Sequence, residues 1–336
     1  MHKFVNAKIR LMILLSISAL LIITSSTLSH AATILHATGP GPGHLPLVKV
    51  TVASAKGSKT FSFMAYPNSY TGGVRVAVGD VNGDGVADII TGSGAGAPAH
   101  IKVIDGTRLG QRGSQLMSFT AYPGFLGGVF VAAGDVNGDG FADIITSTAG
   151  PNGHVKVFDG ATGAEIRSFF AFQGFSGGVS VAAGDVNGDG FADIITGAAA
   201  NGHVKVFDGS SGAEIRSFFA FEGFPGGVSV AAGDVNYDGV ADVIVGAGPG
   251  APGGHVKVFD GRTGQELLSF FAFDPNFRGG VQVAARDVDG DKVIDIIVGA
   301  GPGAGPHVKV FRSIDLAMLD SFLAYEPKFL GGVFVG

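Results

Sequence analysis

The residues best placed to do chemistry are acidic and come in a fixed spacing. Asp80, Asn82, Asp84 and Asp88 stand at positions 1, 3, 5 and 9 of the run DVNGDGVAD. The same run recurs as Asp135, Asn137, Asp139 and Asp143, then as Asp185, Asn187, Asp189 and Asp193. A fourth copy holds Asp234, Asn236, Asp238 and Asp242, and a fifth Asp287, Asp289, Asp291 and Asp295. Side-chain oxygens at 1, 3 and 5 with a glycine at 6 form a sharp turn whose oxygens converge, the arrangement a hard cation takes. Calcium accepts six to eight oxygens in loose geometry, whereas magnesium demands a stricter octahedron and keeps its waters. The expected cofactor is therefore calcium, at about five sites. Asp-Asn-Gly runs also make good turns with no metal at all. Five copies, each with an acid at position 9, favour the metal.

The fifth copy departs from the pattern. Lys292 replaces the glycine at position 6 and Arg286 the glycine before the loop. A non-glycine residue at positive φ costs roughly 1 kcal/mol, and a cation beside the loop opposes metal. This site is expected to be the doubtful one.

Charge fits the same picture. Four loops carry three Asp each and the fifth carries four, so they hold 16 of the 28 acidic residues. Losing Lys3, Lys8 and Arg10 with a leader would take the net charge from -6 to about -9, which five divalent ions would bring to about +1. An acidic chain argues against nucleic acid as a partner. With no cysteine, disulfides, thiolate catalysis, thiolate zinc sites and Fe–S clusters are excluded.

The elements that would position these loops repeat with them. Gly-Gly-Val begins at Gly72, Gly127, Gly177, Gly226, Gly279 and Gly331, a period of 49 to 55 residues. Glycine is about 17 % of the chain, 57 of 336 residues, against about 7 % on average. Each unit splits at Gly, Asn, Asp and Ser clusters into four short strand-like runs, with the acidic loop between the first and second. A four-stranded unit of about 50 residues is a propeller blade: one sheet cannot cover both of its apolar faces, and a ring of sheets covers them all. The expected fold is all-β, a propeller of four-stranded blades.

The termini complete the count. Residues 331–336 read as a first strand with no loop after it, while 33–66 supply matches to strands two, three and four. Together they predict a sixth, composite blade, with a fragment of a longer propeller as the alternative. The expected domains are thus a signal peptide at 1–31 and a propeller at 32–336. The leader reading rests on the basic start, the apolar run 11–23 and the small-x-small site Ser29-His30-Ala31. It places the mature chain outside the cytoplasm, secreted, periplasmic or at the cell surface, with no membrane span after cleavage.

The strand–DxNGDGxxD–strand unit resembles the FG-GAP/VCBS repeat of integrin α subunits and of many secreted bacterial proteins. Gly96-Ala97-Pro98 and Gly250-Ala251-Pro252 match its second signature. The resemblance implies calcium held by positions 1, 3, 5 and 9 and by the carbonyl of position 7. Those carbonyls belong to Val86, Phe141, Phe191, Val240 and Val293. It also implies a binding or adhesion scaffold, but the inserted ligand-binding domain of integrins has no counterpart here, and fold alone does not fix function.

Other repeated residues read as structural. His100, His154, His203, His255 and His307 open each third strand, and Lys49, Lys102, Lys156, Lys205, Lys257 and Lys309 alternate with valines. Once-per-blade residues are expected to fasten turns and to cover apolar surface with their stems. Phe170, Phe172 and Phe175 are expected to pack between blades. The glycine-rich run from Gly246 joins two strands and is a turn rather than a phosphate loop. No catalytic constellation is unique to one blade, so no enzymatic activity is expected. The expected partner is an extracellular protein or glycan, the alternatives being a lectin or a polysaccharide-active propeller enzyme.

Overall fold

The computed structural model describes residues 33–54 and 57–336. The signal-peptide reading of residues 1–31 lies outside them. Six four-stranded antiparallel sheets follow one another along the chain and form a ring, an all-β six-bladed propeller. In the third blade the strands are Val179–Gly184, Asp193–Ala198, His203–Phe207 and Glu214–Phe219, in that order from the axis outward. The innermost strands of the other blades are Val74–Gly79, Val129–Gly134, Val228–Gly233, Val281–Arg286 and Val333–Val335.

The burial pattern follows from this layering. Asp193–Ala198 is covered on both faces and buried at every residue, so it reads DIITGA with no alternation. The next strand, HVKVF, alternates between buried valines and half-buried polar residues. Between blades three and four, Ile195, Val204 and Val206 pack against Val230, Val243 and Val245. Each buried Ile or Val contributes roughly 1.5–3 kcal/mol.

Ring closure uses both ends of the described chain. Ile34–Pro40 pairs with Val333–Val335, with Thr38 opposite Val335 and Pro40 opposite Val333. Leu47–Ser54 and Gly57–Met64 complete this sixth sheet, the composite blade that the terminal segments predict. Val333–Val335 also touches the inner strands of the first and fifth blades.

Neighbouring blades are fastened by a repeated polar peg. The Tyr122 hydroxyl donates to the carbonyls of Thr146 (3.0 Å) and His154 (2.9 Å) in the next blade. Tyr66 and Tyr325 make equivalent bonds, whereas Phe172, Phe221 and Phe273 hold the same place without a hydroxyl.

Candidate metal loops

The five acidic loops join first to second strands, so they emerge at the same end of their blades. Backbone bonds link successive loops: Ala142 N–H donates to the Asp80 carbonyl (2.8 Å), and Ala192 N–H to that of Asp135 (2.7 Å).

Within a loop, the carboxylates order the backbone. In the third loop Asp185 accepts from Gly188 (2.6 Å), Asp189 (3.2 Å) and Gly190 (2.8 Å) N–H groups. Asn187 Oδ1 accepts from Asp189 N–H (2.8 Å), and Asp189 Oδ1 from Phe191 N–H (2.9 Å). These bonds turn the chain sharply and require positive φ at positions 4 and 6, Gly188 at 79° and Gly190 at 90°. The same conformation is held by two residues with side chains: Tyr237 at position 4 of the fourth loop (φ 64°) and Lys292 at position 6 of the fifth (φ 72°). The left-handed backbone expected at Lys292 is therefore present. The demand at position 4 is not evident from the sequence.

Position 9 is different in kind. Asp193 is fully buried; its Oδ2 accepts from Val186 N–H (3.0 Å) and its Oδ1 from Gly209 N–H (2.9 Å). Asp88, Asp143 and Asp242 repeat both bonds. This residue ties the loop to the exit of the third strand. Burial pushes all five position-9 carboxyls up to about 6, against the amide bonds that favour their ionised form.

The third-strand exit adds an acid that sequence spacing does not reveal. Asn187 Nδ2 donates to Asp208 Oδ2 (3.0 Å) and to Asp189 Oδ2 (3.2 Å), so a partly positive amide sits among carboxylates. Asn137 bridges to Asp159 and Asn236 to Asp260 in the same way. Hydroxyl and amide donors from Ser211 and Ser210 hold Asp208 down to about 2. The Asp-Gly that follows the third strand in the first four blades is the available signal, and it reads first as a turn.

The fifth loop exchanges these charges. Asp289 stands where the others have Asn, and Arg312 where they have the exit Asp. Arg312 Nη2 reaches Asp289 Oδ2 at 3.4 Å. The Ser313 N–H makes no bond to it, so Asp295 Oδ1 is buried without a hydrogen-bond partner among the described residues, while its Oδ2 still accepts from Val288 N–H (2.9 Å). Carboxylate oxygens of Asp287, Asp289 and Asp295 lie within 4.8 Å of one another, the one such acidic group among the described residues. Lys292 is exposed and its N–H donates to Asp287 just as the glycine does elsewhere. The loop expected to be doubtful is thus the one whose carboxylates gather most closely. An all-oxygen set with one buried, unspent carboxylate oxygen fits a hard divalent cation.

The other candidates fall into structural roles. All five strand-opening histidines place Nε2 2.8 Å from a serine Oγ on the fourth strand. Lys156, Lys205 and Lys257 pair with Glu165, Glu214 and Glu266 at 2.7–2.8 Å and lie over aromatic rings. Phe172 is buried and Phe175 packs beside it, but Phe170 is 50 % exposed. It sits on the outer strand, on the face turned from the core, and its ring lies tilted against that of His154 rather than between blades. The glycine-rich run from Gly246 leaves a strand and makes a short turn before the next.

Comparison with known proteins agrees with the repeat. Residues 135–196 match the FG-GAP-like repeat family and residues 72–110 the FG-GAP repeat family. No curated protein matches the chain. A solved structure of a protein of unknown function from Bacteroides caccae is similar at 13 % identity and a TM-score of 0.44, over 70 % of this chain and 73 % of that one. With the blades, their acidic loops and the two family matches together, the chain is a six-bladed β-propeller that carries FG-GAP repeats.

Proposed function

We propose that this chain is an exported, calcium-binding propeller that works as a binding or adhesion scaffold for an extracellular protein or glycan, not as an enzyme. The observation that carries the calcium reading is the fifth loop, where carboxylate oxygens of Asp287, Asp289 and Asp295 lie within 4.8 Å of one another and Asp295 Oδ1 has no hydrogen-bond partner among the described residues. In every loop the side chains at positions 1, 3, 5 and 9 would hold the ion, joined by the carbonyls of Val86, Phe141, Phe191, Val240 and Val293. A bound ion supplies positive charge to a crowd of carboxylates, which otherwise repel one another. Export rests on the basic and apolar character of residues 1–31. Among the described residues no helix is long and apolar enough to cross a membrane.

A glycan ligand has one specific observation in its favour. Phe170, Phe219 and Phe271 are 50 %, 61 % and 57 % exposed on three successive blades, each against a histidine ring at 4.5–4.6 Å. Exposed aromatic faces are where sugar rings stack, and equal blades present equal sites.

The test is metal analysis of purified protein after dialysis against calcium, followed by a glycan array with and without chelator. About five bound calcium ions and a chelator-sensitive ligand are expected. Protein that takes up no calcium overturns the reading.

A further inference from the structure

Six side chains stand at one level around the propeller axis, the second residue of each inner strand: Arg75, Phe130, Ser180, Ser229, Gln282 and Phe334. Valine precedes and follows each of them, so this is a position that the repeat holds in place yet varies in kind. Ser180 and Ser229 donate to the carbonyls of Val228 (2.9 Å) and Val281 (2.8 Å) and act as fasteners. Arg75 does not. Its guanidinium lies against the rings of Phe130 and Phe334, 5.2 and 4.8 Å from their centres, while the two rings meet edge to face. Its Nε and Nη1 are shut off from solvent and have no hydrogen-bond partner. The titratable groups that act on it are the hydroxyls of Tyr70 and Tyr66, and burial lowers its pKa to about 10.

This ring borders two cavities on the axis, of about 130 and 190 Å³, which share Phe130, Ser180, Ser229 and Gln282. Val76, Val131, Val181, Val230 and Val283 wall the first, and Arg286 is a second cation on its lining. No Asp or Glu lines either cavity. The Gln282 amide makes no hydrogen bond among the described residues.

A shielded guanidinium is normally paired with a carboxylate or another acceptor. Here the described residues provide none to Nε or Nη1, and two aromatic rings lie against the cation instead. With Nε and Nη1 sealed, the donor left to a guest is Nη2, which meets a carboxylate oxygen in a charge-assisted bond. The valine walls suit an organic anion over inorganic phosphate. A cavity of about 150 Å³ accommodates a molecule the size of benzene, so the guest has about six non-hydrogen atoms. We propose that the axial channel binds a small organic carboxylate, its oxygens on Arg75 and Gln282 and its apolar part against the valines. This inference does not rest on calcium or on an adhesive role.

The experiment is calorimetric titration of the whole protein, kept in calcium, with acetate, butyrate and succinate, and with phosphate, sulfate and chloride as separate arms. Saturable binding of at least one carboxylate is expected. Arg75→Met should weaken it at least about tenfold, the loss of a hydrogen bond to a charged group, with calcium content unchanged. Arg75→Lys keeps the charge but moves the donor on a shorter side chain, so it serves if the methionine variant misfolds; it should also bind more weakly than the wild type. Wild-type protein that binds no carboxylate overturns the proposal. So does carboxylate affinity unchanged by either variant, or binding confined to phosphate, sulfate or chloride.

Discussion

Positions 5 and 9 of one acidic loop should respond differently to loss of their carboxylates, and calcium should tell them apart. Asp193→Ala leaves the N–H groups of Val186 and Gly209 without acceptors in a buried place. Each such orphan costs about 1–3 kcal/mol. Relief of a buried charge returns part of this, since burial already pushes the Asp193 carboxyl up to about 6. A net loss of about 2–4 kcal/mol remains. A propeller of about 300 residues unfolds with an entropy of about 0.6 kcal/mol/K, so the melting temperature should fall by about 3–7 °C. That deficit should appear in chelator as well as in calcium. Asp189→Ala removes an exposed carboxylate that accepts from Phe191 N–H and Asn187, and water can replace it. In chelator the variant should melt within about 2 °C of the wild type, the usual range for a surface change. In calcium at a hundredfold excess over Kd it should lose about 2.7 kcal/mol, the worth of one site, or about 4 °C. Melting curves of both variants in calcium and in EDTA are the assay. If Asp193→Ala melts with the wild type in EDTA, the fastener argument fails. If the Asp189→Ala deficit is equal in both buffers, the metal argument fails.

Three further outcomes rest on particular contacts. Burial holds the His203 ring below its ordinary pKa of 6.5, so its contribution to stability is present above that pH and lost as pH falls through it. In EDTA, the margin of wild type over His203→Gln should therefore shrink from pH 7.5 to 5, and a constant margin would contradict this. Phe172→Tyr should place a hydroxyl near the Thr196 and His203 carbonyls, as Tyr122 does one blade earlier, and stabilise by about 0.5–1.5 kcal/mol; denaturant unfolding that shows a loss would refute the equivalence. Deleting residues 331–336 removes the partner of Ile34–Pro40 and exposes sheet edges, so light scattering should detect association, and a monomer of unchanged melting temperature would count against ring closure by this pairing.

The fold was legible because turn chemistry punctuates it. Gly-Gly-Val, the acidic loop and the Asp-Gly after strand three recur at nearly fixed spacing, and short apolar runs between them leave room only for strands. The composite blade could be read from 33–66 and 331–336 because each part still carries its strand's own pattern. The sites were less legible wherever a contact crosses from one repeat segment to another. Asp208 lies 21 residues from Asn187 and joins its loop only through folding. Asp295 differs from Asp193 not in itself but in the pair of residues just after the third strand, Arg312-Ser313 in place of Asp208-Gly209. Phe170 and Phe172 are near neighbours in sequence, yet one faces solvent and the other the next blade. Spacing shows which residues recur; it does not show which face of a strand meets a neighbour.

The departures from the repeat therefore hold information that the repeat itself cannot. Residues that recur in five of the six blades, the histidine–serine pairs and the buried position-9 acids, satisfy a demand that those blades share. They account for the ring. A residue found once in the whole ring has no such demand to meet. Arg286 replaces a glycine whose Cβ, in the preceding blades, would strike the next inner strand; here Val333–Val335 is short, and the side chain enters that space to donate to the Ile34 carbonyl at 3.0 Å. That substitution is explained by closure. Arg75 has no hydrogen-bond partner for Nε or Nη1 among the described residues and rests against two rings at the axis. Nor is the exchange of Asp289 and Arg312 required for folding, since four loops fold without it. If the propeller discriminates among ligands, it must do so where its blades differ, and these are the places where they do.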